Sequence, residues 1–233
     1  MKFIKMVIKT GMLWGVCATL GRGDAPSRLL TRLQAGESQV VVAYGTSLTA
    51  VGAWVKQVGK VLETQFPGQV TLINSGGSGM NSNWGVENLE QKVLQKHPDT
   101  VFLEFSINDS VARFDLSVEK AKSNLETMIG RILKANPDGE IILMTMTPGN
   151  AYPEGHRSHR KNIEAYYEMF REVAKERGFL LIDHYPNWKK LQTEDPEHFN
   201  LLVPDTIHPT AAGNAEVVTP MVLKALGLDA NEK

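Results

Sequence analysis

The chain carries a single cysteine, Cys17, among its 233 residues. That excludes an intrachain disulfide and any metal site built from cysteines. It leaves the compartment open, because many exported proteins also lack disulfides. No excess of either charge is present: 25 Lys and Arg stand against 26 Asp and Glu, a net charge of −1. A nucleic-acid footprint needs a clustered basic surplus, so no nucleic-acid partner is expected. Internal repeats and low-complexity linkers are absent. No apolar run is long enough to span a bilayer as a helix. The nearest, residues 11–18, follows Lys2, Lys5 and Lys9 and has the outline of a short secretion leader. Lys9 interrupts the longer apolar stretch, however, and the remainder is barely long enough. The reading taken is an N-terminal extension over residues 1–36, packed on the domain of a cytoplasmic protein, with export through a leader in 1–18 as the alternative.

What is present points to one domain. The hydrophobic share of 42% and charged share of 22% are ordinary for a globular protein, and one α/β domain over residues 37–228 accounts for the length. Apolar β-rich runs recur at residues 40–44, 70–74, 100–105, 141–147 and 179–183. Helical periodicity lies between them. Val118, Ala121, Leu125, Met128, Ile129, Ile132 and Leu133 share one face; Ile163, Tyr166, Tyr167, Phe170, Val173 and Ala174 share another. Asn136-Pro137-Asp138-Gly139 and Arg177-Gly178 are stop signals for these two helices. Strand and helix in alternation imply a parallel sheet with helices on both faces, a three-layer α/β/α sandwich of about five strands.

In such sheets ligands sit beyond the carboxyl ends of the strands. Three short stretches fall there or complete a site: Gly45-Thr46-Ser47-Leu48, Asn108-Asp109, and Asp205-Thr206-Ile207-His208-Pro209. Singly, each has an ordinary structural use. Ser47 fits a helix cap, Asn108-Asp109 a turn, and Asp205 through Pro209 a helix start carrying a surface histidine. Together they supply a nucleophile, a base and an orienting acid, because a serine hydroxyl attacks at neutral pH only with a base in reach. Asp183-His184 is a competing acid–base pair, but adjacent side chains diverge in extended chain. A metal reading would recruit Asp109, Asp205 and His208, without the dense Asp/His clustering such sites use. Neither metal nor cofactor is expected.

The order of these motifs resembles the SGNH hydrolases, the GDSL-type lipases and esterases, from about residue 40 to about residue 227. The resemblance implies a flavodoxin-like fold and catalysis by Ser47, with His208 as base and Asp205 as its orienting acid. It also implies oxyanion donors at Gly79, within Asn74-Ser75-Gly76-Gly77-Ser78-Gly79, and at the Asn108 side chain, with the Ser47 backbone N–H as a third. Two positions depart from the family pattern: Thr46 replaces the acid before the nucleophile, and Ser106 replaces a glycine. The Gly-x-Ser-x-Gly elbow of the other large serine-esterase class is missing.

The expected substrate is a small-molecule or oligosaccharide ester, with acetyl on a carbohydrate as the leading choice. The loop at residues 148–160 is polar and neither it nor the glycine block carries a long apolar stretch for a fatty-acyl tunnel. Trp84 and Tyr152 are candidate surfaces for stacking a sugar ring, or else packing groups. A lipid-type esterase or thioesterase, and a carbohydrate-binding relative without turnover, are the alternatives.

Overall fold

Five apolar runs become five strands in the computed structural model, which describes residues 27–150 and 152–228. The leader or extension reading of residues 1–18, with Cys17, lies outside the described residues. The strands are β1 (Gln39–Gly45), β2 (Val70–Asn74), β3 (Thr100–Glu104), β4 (Glu140–Thr145) and β5 (Leu180–Asp183). All neighbours are parallel, in the order β2-β1-β3-β4-β5. Among the described residues the α-helices are α1 (Arg28–Gln34), α2 (Ser47–Ala50), α3 (Ala53–Gln65), α4 (Ser82–Lys92), α5 (Ser106–Asp109), α6 (Val118–Ala135), α7 (Ile163–Arg177), α8 (Tyr185–Glu194), α9 (Pro196–Leu202), α10 (Ala211–Gly213) and α11 (Thr219–Leu226). A π-helical turn, Asn214–Val218, joins the last two.

The period of two along β1 sorts the core into two halves. Val41 and Ala43 face a cluster built with Trp54, Val58 and Leu62 of α3, Val222 and Leu226 of α11, and Leu29, Leu30 and Leu33 of α1. Val42 and Tyr44 face the other cluster, with Leu89 of α4, Leu125, Met128 and Ile132 of α6, and Phe170 and Val173 of α7. Helices therefore cover both faces, and the sandwich has three layers. The α1 helix lies inside the stretch expected as an extension. Burying its three leucines contributes roughly 5–9 kcal/mol before the entropy of ordering, enough to hold a seven-residue helix on the domain.

The strand order positions the site. The sheet grows from β1 to β2 on one side, then crosses back to β3 on the other. The order reverses at the carboxyl ends of β1 and β3, the place where open α/β sheets bind their ligands. Gly45 is paired with Glu104 at that edge. The two segments that follow these strands, beginning at Thr46 and Ser106, are therefore neighbours.

Candidate active site

Ser47 opens α2 immediately beyond β1. Thr46 takes extended backbone, and its hydroxyl accepts from the Leu48 N–H, capping a helix of one turn. The Ser47 hydroxyl is half-buried, with its Oγ 2.8 Å from His208 Nε2. His208 Nδ1 is 2.6 Å from Asp205 Oδ2. The other oxygen of Asp205 accepts from the backbone N–H groups of Ile207 and His208, at 2.9 and 2.6 Å. One carboxylate thus holds both the turn and the ring it carries. Burial pushes the Asp205 carboxyl up, but the hydrogen bonds from His208 and Ile207 outweigh it and hold the group below its ordinary value. An ionised Asp205 accepts a hydrogen bond from Nδ1–H, which keeps the proton on that nitrogen and leaves Nε2 free to accept from serine.

The remaining expected residues meet on a second strand of connections. The Gly77 N–H donates to Gly45 O at 2.8 Å, tying the glycine loop to the end of β1. Gly79 stands in the left-handed region at φ +73°. A Cβ there would meet no protein atom within 4 Å, so backbone conformation, rather than room inside the protein, selects glycine. Asn108 is buried in α5, and its Nδ2 donates to Met80 O at 2.8 Å, one residue beyond Gly79. An amide nitrogen carries two N–H groups, which leaves the second for a ligand. Asp109 is engaged with the next helix: its Oδ1 accepts from the Ser82 N–H at 2.7 Å and anchors the start of α4. Burial raises its pKa to about 7.

Two residues of this neighbourhood went unread in the sequence. Glu104, at the end of β3, is fully buried behind the serine, and one of its oxygens accepts from the Thr46 N–H, the Thr46 hydroxyl and the Thr49 hydroxyl at 3.0, 2.8 and 3.3 Å. Burial raises its pKa to about 8, so it carries its proton at neutral pH. A lone acid ending an apolar strand was the available signal. Arg160 is the other; it reaches Asn108 Oδ1 from the loop after β4. Nothing in a run of loop cations marked it.

The competing pair is placed elsewhere. Asp183 is bound by Arg171 at 2.8 Å and by Thr145 at 2.5 Å. His184 is fully buried, and burial lowers its pKa to about 3. Trp84 is half-buried and packs on Tyr44 and Phe105, with ring centroids 5.6 and 6.4 Å away. Tyr152 remains exposed and stacks on His156 at 4.4 Å. The loop carrying it runs beside the acid–imidazole turn, where the Gly149 N–H donates to Thr206 O at 3.1 Å. Among the described residues, no three His, Cys, Asp or Glu side chains converge as a metal-binding set. No described helix is long and apolar enough to cross a membrane.

Residues 36–216 match the model of the GDSL-like Lipase/Acylhydrolase family. An acetylxylan esterase from Geobacillus stearothermophilus is 26% identical over 198 residues, covering 78% of this chain and 85% of its own. The crystal structure of an acetylxylan esterase from the same organism superposes with a TM-score of 0.67 at 20% identity, over 83% of this chain and 96% of the other. LAE5, an α/β hydrolase from the metagenome of Lake Arreo, Spain, superposes with a TM-score of 0.68 at 24% identity, over 82% and 96%.

Proposed function

From the premise that this chain belongs to the GDSL-like lipase/acylhydrolase family and is a carboxylic ester hydrolase, we propose that it removes short acyl groups, acetyl first among them, from carbohydrate through a serine acyl-enzyme. The observation that carries the mechanism is the unbroken chain from Asp205 through His208 to Ser47, at 2.6 and 2.8 Å. His208 Nε2 takes the Ser47 proton as Oγ bonds to the ester carbonyl carbon. Negative charge moves to the carbonyl oxygen, where the N–H groups of Ser47 and Gly79 and the Asn108 amide receive it. The Ser47 N–H, in the first turn of α2, has no acceptor within its helix. Collapse of the intermediate breaks the bond to the alcohol, which leaves with the proton from His208. Water then repeats the cycle and frees the acid. Asp205 keeps the neutral ring in the accepting tautomer and stabilises the imidazolium once the proton has moved.

Acetyl-carbohydrate as substrate is supported by the acetylxylan esterase relative, at 26% identity. One observation favours a second reading, a longer lipid-type acyl chain. Val51 and Met80, beside the serine turn and Gly79, are 70% and 38% exposed and offer apolar surface at the rim. Turnover of chromogenic esters from acetyl to octanoyl separates the two. Activity is expected to peak at acetyl and to fall at least about a thousandfold in Ser47→Ala. A peak at long chains would move the function to lipid-type esters. Full activity without Ser47 would sink the mechanism.

A further inference from the structure

Arg160 is a cation without a counter-ion in the wall of this site. Its Nε donates to Ile107 O at 3.0 Å, its Nη1 faces Gly149 O and Ser158 O at 3.4 and 3.5 Å, and its Nη2 faces Asn108 Oδ1 at 3.4 Å. All four acceptors are neutral. Among the described residues no carboxylate forms an ion pair with it. The charged groups acting on it are Arg113, which repels it, and Asp205, which is already bound to His208. Arginine stays protonated even where burial lowers its pKa, as here.

The surroundings are shaped to hold the guanidinium in place. Val111 and Arg160 form an antiparallel bridge. The Ala112 N–H donates to His159 O at 2.8 Å and the Lys161 N–H to Ser110 O at 3.1 Å, clamping the backbone on both sides. Gly149 lies at φ +62°, and a Cβ there would come within 2.7 Å of Arg160 Cδ.

A carboxamide has two orientations of nearly equal shape, and only one is useful here. With its nitrogen toward the ester carbonyl, Asn108 donates to the oxyanion; flipped, it would present oxygen to oxygen. Two neighbours select between them: Arg160 can meet only the amide oxygen, and Met80 O can meet only the amide nitrogen. A partly buried cation also gains when negative charge forms nearby, and the oxyanion is the charge this reaction creates.

Resting on the oxyanion role proposed for Asn108, we infer that Arg160 is a positioning residue for that donor: it fixes the amide orientation and polarises the amide as the oxyanion forms. Kinetics on a chromogenic acetyl ester test this. Arg160→Met should lower kcat about tenfold to a hundredfold, less than loss of a direct donor, with KM within about twofold. Arg160→Lys should recover part of the loss, keeping the charge without the planar fork. Arg113→Met, exposed on the adjoining segment, should stay near wild type. The decisive comparison is the cycle with Asn108→Ala: in that background Arg160→Met should cost less than about twofold more, because its effect passes through Asn108. Independent, multiplying losses would overturn the inference. So would a rise in KM at unchanged kcat, the sign of a contact with substrate instead. Asn108→Ala with full activity would remove the oxyanion reading itself, a failure visible before Arg160 is altered. Should Arg160→Met unfold, Arg160→Lys in the two Asn108 backgrounds carries the same comparison.

Discussion

Thr206 is the residue whose backbone departs furthest from what its side chain prefers. It sits between Asp205 and His208 at φ +59°, where a branched Cβ crowds the backbone at a cost of roughly 1–2 kcal/mol. Hydrogen bonds from the Thr206 N–H to Val203 O and from the Gly149 N–H to Thr206 O, at 2.9 and 3.1 Å, hold it there. The threonine hydroxyl is buried without a hydrogen-bond partner, so it offsets none of this cost. Asn tolerates the left-handed region, and Thr206→Asn is expected to raise stability by about 1 kcal/mol in denaturant titration. A loss would mean that the methyl group's packing outweighs the strain. The Asp-x-x-His spacing was legible in the sequence because it is local. The conformation that makes it work was not, since residues 149 and 203 impose it.

At the scale of elements, local signals and distant ones divide cleanly. Ser117, just before the amphipathic run, caps α6 by accepting from the Lys120 N–H. Gly178 ends α7 in the left-handed conformation, as Arg177-Gly178 implied. The start of α1 has a remote partner as well: the N–H groups of Arg28 and Leu29 donate to the two oxygens of Glu140, each at 2.9 Å. A carboxylate at the amino end of β4 thereby seats a helix more than a hundred residues earlier in the chain. Glu140→Ala should cost about 2–3 kcal/mol, since hydrogen bonds to a charged group are lost and two helix donors are left bare. Thermal and denaturant unfolding would measure it. Acetyl-ester turnover should persist, because Glu140 lies at the sheet edge opposite the serine. No local pattern announces such a cap, and α1 was accordingly read only as part of an extension.

At the scale of the whole molecule, buried titratable groups set how stability follows pH. Glu104 and Asp109 have folded pKa values of about 8 and 7, above their ordinary values of 4.5 and 3.8. The folded state therefore holds protons that the unfolded chain has released, and stability is lost as pH rises toward those folded values. His184 runs the other way: lowered from 6.5 to about 3, it adds stability as pH rises through that window and is flat above it. Between pH 6.5 and 8 the two buried acids contribute a slope, and His198, raised above its ordinary value by its hydrogen bond to Glu216, adds to it in the same direction. Stability should fall there by about 2 kcal/mol from Glu104 alone, and Glu104→Gln should remove most of that fall. Denaturant titrations at a series of pH values check it. A wild-type curve flat across this window would mean that Glu104 is ionised at neutral pH.

The sequence by itself determined the parallel sandwich, five strands within a residue or two of their ends, and membership of an ester-hydrolase family. Each of these rests on short-range information: apolar period, caps and stops, and motifs of a few residues. Only the tertiary structure decided which polar residues gather at the carboxyl ends of β1 and β3. It put Glu104 behind the serine turn and Arg160 behind Asn108, while Asp183 and His184 went to an ion pair and the core. The physical reason is that direction is a property of packing. A residue's chemistry is written in the chain, but the neighbours that bury it, orient it and move its pKa arrive from strands and loops tens of residues away.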